Sequence, residues 1–251
     1  MNALPLRRLF LIGVAVLLGG ALGSGTQAVL SANQLLPNLV ALPAHEIRIG
    51  NSDGVKELRF STTSANLGDG PFVIIGGNVT GDSQQIDQRI YNSDGSFEDQ
   101  QAGFWEYHPQ HNHIHVDDYA DYVLEAVDAP GQSLRTGAKQ TFCILDTDRV
   151  DHRLPGAPKK AVYTTCGDDL QGMSVGWGDT YRYYLAGQSI DITGLPDGDY
   201  RLVIRIDPKG RFAELNESDN ESVVNIRIDG NNVTNLDEQN EKPGNGRGRP
   251  W

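Results

Sequence analysis

Cysteine is scarce in this chain of 251 residues: there are two, Cys143 and Cys166. In an exported protein an even count suggests one disulfide, and closing a loop of this length would stabilise by about 3 kcal/mol. Basic residues are also short, with 21 Lys and Arg against 33 Asp and Glu and a net charge of −12. That deficit argues against a nucleic-acid partner, because phosphate binding needs an excess of cations, while it leaves attraction of cationic substrates open. Long hydrophobic runs are missing too. The main one, Leu9 to Leu18, follows Arg7 and Arg8 and is short for a membrane span. Small residues come next, and Thr26-Gln27-Ala28 offers a cleavage site, so residues 1–28 read as a signal peptide. Arg7-Arg8-Leu9-Phe10-Leu11 looks like a twin-arginine signal, and the general secretory route is equally open. The expected location is periplasmic or extracellular, with no stable membrane span after cleavage. Internal repeats, coiled-coil heptads and long amphipathic helices are absent as well, which excludes solenoid and bundle architectures.

What the chain does have is glycine, 29 residues of it, and short alternating runs between turn signals. Residues 33–43 form an apolar extended lead-in, and Val55 to Thr62 alternates around Leu58 and Phe60 ahead of a turn at Asn66 to Gly70. Ile90-Tyr91 leads into the hairpin turn Asn92-Ser93-Asp94-Gly95. Tyr200, Leu202, Ile204 and Ile206 share one strand face, with Arg201 and Arg205 on the other, and Val224, Ile226 and Ile228 alternate in a last strand. This pattern predicts an all-β fold, a β-sandwich with long ordered loops, of which 146–178 is the longest. The domain is expected over 33–229, with a disordered polar tail over 230–251.

Four of the six histidines lie within eight residues, His108, His111, His113 and His115. Residues two apart on a strand share a face, so His111, His113 and His115 would project together. In a flat strand the outer two are separated by roughly 13 Å, so meeting at one ion requires a curve or bulge. Imidazole ligation suits copper, zinc, iron or nickel and not magnesium or calcium. The spacing alone does not name the chemistry.

The whole stretch, Trp105-Glu106-Tyr107-His108-Pro109-Gln110-His111-Asn112-His113-Ile114-His115, resembles the copper-binding segment of lysyl oxidases. Further similarity to that family lies in Gly137-Ala138-Lys139-Gln140-Thr141-Phe142-Cys143, in Gln171 to Tyr181, and in Asp191-Ile192-Thr193 through Tyr200. It runs collinearly from about Leu36 to Ile228. The resemblance implies copper(II) on His111, His113 and His115, with the role of His108 open. It implies a cross-link between Lys139 and Tyr181 forming lysine tyrosylquinone, the family's self-made cofactor. The implied reaction is oxidative deamination of a primary amine, typically a lysine in a protein substrate, to an aldehyde with ammonia and hydrogen peroxide. Asp121 stands near a position proposed for the catalytic base. A calcium ion is implied near Asn38, Leu39 (through its carbonyl), Glu214, Asn216, Asp219 and Asn220. Asn38 and Asn216 replace aspartates there and Asp219 replaces an asparagine, one carboxylate fewer, which predicts weaker binding. The rival reading is a non-catalytic extracytoplasmic copper-binding sandwich. A zinc hydrolase, the third reading, leaves Lys139 and Tyr181 without a task. Oligomeric state is not legible.

Overall fold

The computed structural model describes residues 34–81, 83–108, 113–137 and 140–240, all within one compact unit. The signal region therefore lies outside the described residues. In chain order the first strands are β1 (Gln34–Leu35), β2 (Leu39–Ala41), β3 (His45–Ser52), β4 (Val55–Asn66), β5 (Phe72–Thr80) and β6 (Ser83–Asn92). There follow β7 (Phe97–His108), β8 (His113–Ala126), β9 (Ser133–Thr136), β10 (Gln140–Phe142), β11 (Asp148–Arg149) and β12 (Leu170–Met173). The last are β13 (Trp177–Tyr181), β14 (Ser189–Asp191), β15 (Gly198–Ile206), β16 (Glu221–Asp229) and β17 (Asn232–Asn235), with a short helix α1 (Leu236–Asn240) at the end.

These strands make two antiparallel sheets, in agreement with the all-β sandwich read from the sequence. The larger runs β12-β5-β6-β7-β8-β15-β16-β17, with β1, β9 and β10 added at its margins. The smaller is built on β4, which pairs with β2, β3, β13 and β14. Between them lies one main core. Leu58 and Phe60 of β4 meet Tyr122 and Leu124 of β8, Leu202 and Ile204 of β15, and Ile226 of β16, all shielded from water. Burial of each large side chain of this kind contributes about 1.5–3 kcal/mol. The alternation in β15 emerges as expected: Tyr200, Leu202, Ile204 and Ile206 face inward, while Arg201 and Arg205 reach Glu125 at 3.8 and 3.6 Å on the outer face.

The second half of β4 is polar yet buried, because it is central and covered on both faces. Its hydroxyls are paired rather than stranded: Thr62 Oγ1 with Tyr122 Oη at 2.9 Å, Ser64 Oγ with Tyr119 Oη at 2.7 Å, and Thr63 Oγ1 with Thr180 Oγ1 at 2.9 Å. Such pairing avoids the desolvation cost of an unsatisfied buried hydroxyl.

Two expectations are corrected. The ordered region does not stop at Asp229: β17 pairs back on β16, and α1 follows it, with Asp237 accepting from the Asn225 backbone N at 2.8 Å. Polar composition concealed a short strand that pairs with β16 and packs its Val233 against the core. The rest of the expected tail, 241–251, lies outside the described residues. The long loop 146–178 is not purely irregular either, for it contributes β11 and β12 to the sheet edges. Cys143 and Cys166 form a disulfide across this loop, 23 residues apart in sequence. Replacing both cysteines by serine is expected to lower unfolding stability by about 3 kcal/mol, measured by urea titration of oxidised wild type against the variant.

Candidate metal and cofactor site

Strands β7 and β8 form a hairpin whose register pairs Trp105 with Val116, Glu106 with His115, Tyr107 with Ile114, and His108 with His113. Directly opposed residues share a sheet face. Positions 106, 108, 113 and 115 therefore fall on one face, alternating with Trp105 and Val116, whose side chains are in the core. Position 111 lies outside the described residues. The sequence offered three alternating histidines on one strand; the fold adds position 108 from the facing strand, a cross-strand relation that linear spacing does not reveal. The imidazole-rich donor set suits a transition metal such as copper or zinc.

Beyond the hairpin, β8 continues into the core through an irregularity. Phe142 of β10 pairs with Val116, but Gln140 pairs with Ala120, so β8 carries two extra residues between those rungs. Within them Asp118 adopts a left-handed backbone, φ 51°. An even number of extra residues preserves the pleat, so Ala120, Tyr122 and Leu124 return to the core.

Tyr181 ends β13, opposite Thr62 of β4. Its hydroxyl accepts from the Cys143 backbone N at 2.9 Å and donates to the Cys143 carbonyl at 3.1 Å, while its ring lies 3.9 Å from that of Phe142. Burial pushes the phenol well above its usual range, reinforced by the nearby Asp179 carboxylate. Asp179, two residues earlier on the same strand face, is itself buried, and desolvation pushes its carboxyl well above the ordinary range although the Leu145 amide donates to it at 3.4 Å. Lys139 lies outside the described residues. Its flanks are anchored on β8: Gly137 N donates to the Tyr122 carbonyl at 2.9 Å, and Gln140 pairs with Ala120. The structure thus connects Tyr181 to the histidine strand through the Phe142 ring and the Phe142–Val116 rung, one residue beyond His115. The phenol is on the core side of that strand, and positions 113 and 115 are on the other.

Asp121 lies on the face of β8 opposite Tyr122, ion-paired with Arg205 at 3.8 Å and partly exposed.

The oxygen-rich site near the chain ends is more complete than its sequence suggests. Glu214 accepts from Leu39 N at 2.7 Å and from Asn220 Nδ2 at 2.6 Å, and Asn38 Nδ2 donates to Asp219 at 2.9 Å. Burial pushes the Glu214 carboxyl up to about 7. Asn38 Oδ1, Asp219 Oδ1 and Asn220 Oδ1 are buried with no hydrogen-bond partner. Unsatisfied buried oxygens are costly, and hard oxygen donors of this kind suit a cation such as calcium. Asn216 departs from the expected set, for its Oδ1 is taken by Ser218 N and Oγ at 3.1 and 2.7 Å, capping a 3₁₀ turn over Glu217–Asp219. In its stead Asp207 and Glu217 bring carboxylate oxygens within 4.8 Å of one another and of Glu214. Neither Asp207 nor Glu217 was among the candidates named from the sequence.

Comparison with known proteins bears on the family of the chain. The chain matches the lysyl oxidase family over residues 85–237, a stretch containing the histidine hairpin, Lys139 and Tyr181. The chain belongs to the lysyl oxidase family. It is 32% identical over 130 residues to lysyl oxidase homolog 3B of Danio rerio, covering 51% of this chain and 15% of that relative. The corresponding figures for lysyl oxidase homolog 2 of Gallus gallus are 32% over 130 residues, 51% and 16%. For lysyl oxidase homolog 4 of Bos taurus they are 31% over 130 residues, 51% and 16%. The chain thus spans a small part of the length of these curated lysyl oxidase relatives.

Two measurements probe the groups described. Because the folded Asp179 carboxyl is raised above its unfolded value, its contribution to stability is full below the unfolded range and is lost as pH rises. Asp179→Asn should accordingly gain stability relative to wild type between pH 4 and 8, read from paired urea titrations. Millimolar calcium should raise the melting temperature of wild type, by about 2.7 kcal/mol of stabilisation at one hundred times the dissociation constant. Glu214→Gln should lose most of that response in calorimetry.

Proposed function

We propose that this lysyl oxidase family member is an exported copper amine oxidase. It converts primary amines, including lysine side chains of proteins, to aldehydes with release of ammonia and hydrogen peroxide. The observation that carries the reading is the continuity between its two halves. The strand bearing His113 and His115 pairs, at Val116, with the segment whose Phe142 ring packs on Tyr181. Copper, held by His111, His113 and His115, would supply one-electron chemistry with dioxygen. The backbone pairing of His108 with His113 supports a role for it beside that set.

Tyr181 and Lys139 are the residues from which lysine tyrosylquinone would form. Tyr181 in its present setting is a protected precursor. Both its hydrogen bonds go to the Cys143 peptide, and burial keeps the phenol protonated. Forming the cross-link requires the hydroxyl to leave that peptide and the Lys139 amine to lose its proton, which a nearby cation and a dry environment favour. Asp121, held by Arg205, is assigned no proton transfer in this reading. Calcium at Asn38, Asp219, Asn220 and Glu214, assisted by Asp207 and Glu217, would tie the N-terminal lead-in to the loop before β16. The disulfide suits an oxidising compartment. Among the described residues, no helix is long and apolar enough to cross a membrane.

A non-catalytic copper-binding protein is favoured by one observation, the enclosure of the Tyr181 hydroxyl on the Cys143 backbone. The two readings part in one experiment. Protein produced with copper is treated with phenylhydrazine, then digested and analysed by mass spectrometry. An adduct and a cross-linked Lys139–Tyr181 peptide are expected in wild type and not in Tyr181→Phe, with amine-dependent peroxide falling at least ~10³-fold in the variant. Unlinked peptides from fully copper-loaded wild type, with no peroxide from any amine, would leave only the binding function.

A further inference from the structure

The irregularity in β8 carries an acid for which the reading above has no use. Asp118 has a left-handed backbone, φ 51°, and its carboxylate is buried, 6% exposed. Lys209 Nζ pairs with Asp118 Oδ2, and Arg211 Nη2 lies 3.3 Å from the same oxygen. Both cations come from the connection between β15 and β16. That connection is stitched across the sheet carrying the histidine hairpin. Asp207 N donates to the Tyr119 carbonyl on β8 at 2.9 Å, and Ala213 N and O bond the buried Gln88 side chain on β6, each at 2.8 Å. Phe212 seats its ring against Phe72, centroids 4.8 Å apart.

Arg211 does a second thing. A Cβ on Gly103 of β7 would come within 3.3 Å of Arg211 Nη1, and Gly103 itself has φ 129°. One guanidinium therefore lies over β7 at Gly103 while bonding β8 at Asp118. Those two points sit at the base of the hairpin that carries positions 106, 108, 113 and 115. Asp207 holds the connection in shape, accepting from Arg211 N and Phe212 N at 3.0 and 2.9 Å.

We propose that Asp118 is a positioning residue for the copper site, and that Lys209 and Arg211 clamp it so that the base of the β7–β8 hairpin keeps one register. The physical reason is parity. A slip of one residue in a strand turns every side chain to the other face. β8 must insert two residues before Ala120 and still present positions 113 and 115 on one face and Val116 on the other. A non-glycine residue at positive φ persists only where surrounding contacts enforce it, and here two cations do so. Asp is also among the few residues that accept this conformation. The proposal rests on the copper reading.

The test uses the full-length protein titrated with copper(II), following affinity by competition and site geometry by electron paramagnetic resonance. Asp118→Asn keeps size and tolerance of positive φ and removes the charge; the double variant Lys209→Gln with Arg211→Gln removes the clamp and leaves Asp118. Both should bind copper roughly tenfold more weakly and share one altered spectrum, the scale typical of losing groups that orient metal ligands. Glu125→Gln, also on β8 and also removing a buried carboxylate paired with Arg201 and Arg205, serves as the structural control. It should lose stability and leave the copper spectrum unchanged. If Asp118→Asn behaves like Glu125→Gln, with wild-type affinity and spectrum, the positioning role is overturned and the copper reading stands. Wild type that binds no copper would overturn both.

Discussion

Strand β8 makes incompatible demands on one stretch of chain, and the two residues inserted between Val116 and Ala120 reconcile them. Toward its N-terminus the strand pairs with β7 and carries histidines. Toward its C-terminus it pairs with β15 and lines the core with Tyr122 and Leu124. An odd insertion would have turned one of these halves inside out. The even insertion retains the pleat, permits the change of partner, and turns Tyr119 inward to bond Ser64 and pack against Phe72 and Phe142.

From that strand the two halves of the site acquire their relation. β10 follows β8 at the insertion, bringing Phe142 against Tyr181 and setting the backbone of Cys143 where it both donates to and accepts from the phenol. The disulfide to Cys166 anchors that same residue. A tyrosine held in this way is kept from ionising by burial. The buried Asp179 below it adds to the cost of forming phenolate.

The oxygen site near Glu214 depends on long-range closure of a different kind. Asn38 and Leu39 belong to the first strands of the domain, while Glu214, Asp219 and Asn220 precede β16. Three buried amide and carboxylate oxygens, those of Asn38, Asp219 and Asn220, have no hydrogen-bond partner at their junction. Counting carboxylates along the aligned motif understated the site, because Asp207 and Glu217 enter it from positions the motif does not include.

Much of the fold was legible in the chain. Period-two alternation in β4, β15 and β16 is a local consequence of one buried sheet face, and turn residues at Asn66–Gly70 and Asn92–Gly95 mark their own ends. The histidine spacing and the aromatic and lysine motifs likewise identified the family and the candidate ligands. Polar strand β17 was not legible, since its pairing with β16 and the single apolar contact of Val233 leave no alternating pattern. Nor could spacing set His108 opposite His113, occupy Asp121 with Arg205, enclose the Tyr181 hydroxyl on Cys143, or bring Lys209 and Arg211 onto Asp118. Sequence by itself determined which residue types were available and which face of a strand each would share. Register between distant strands decided which of them meet, because a contact such as that of Lys209 with Asp118, 91 positions apart, has no local signature.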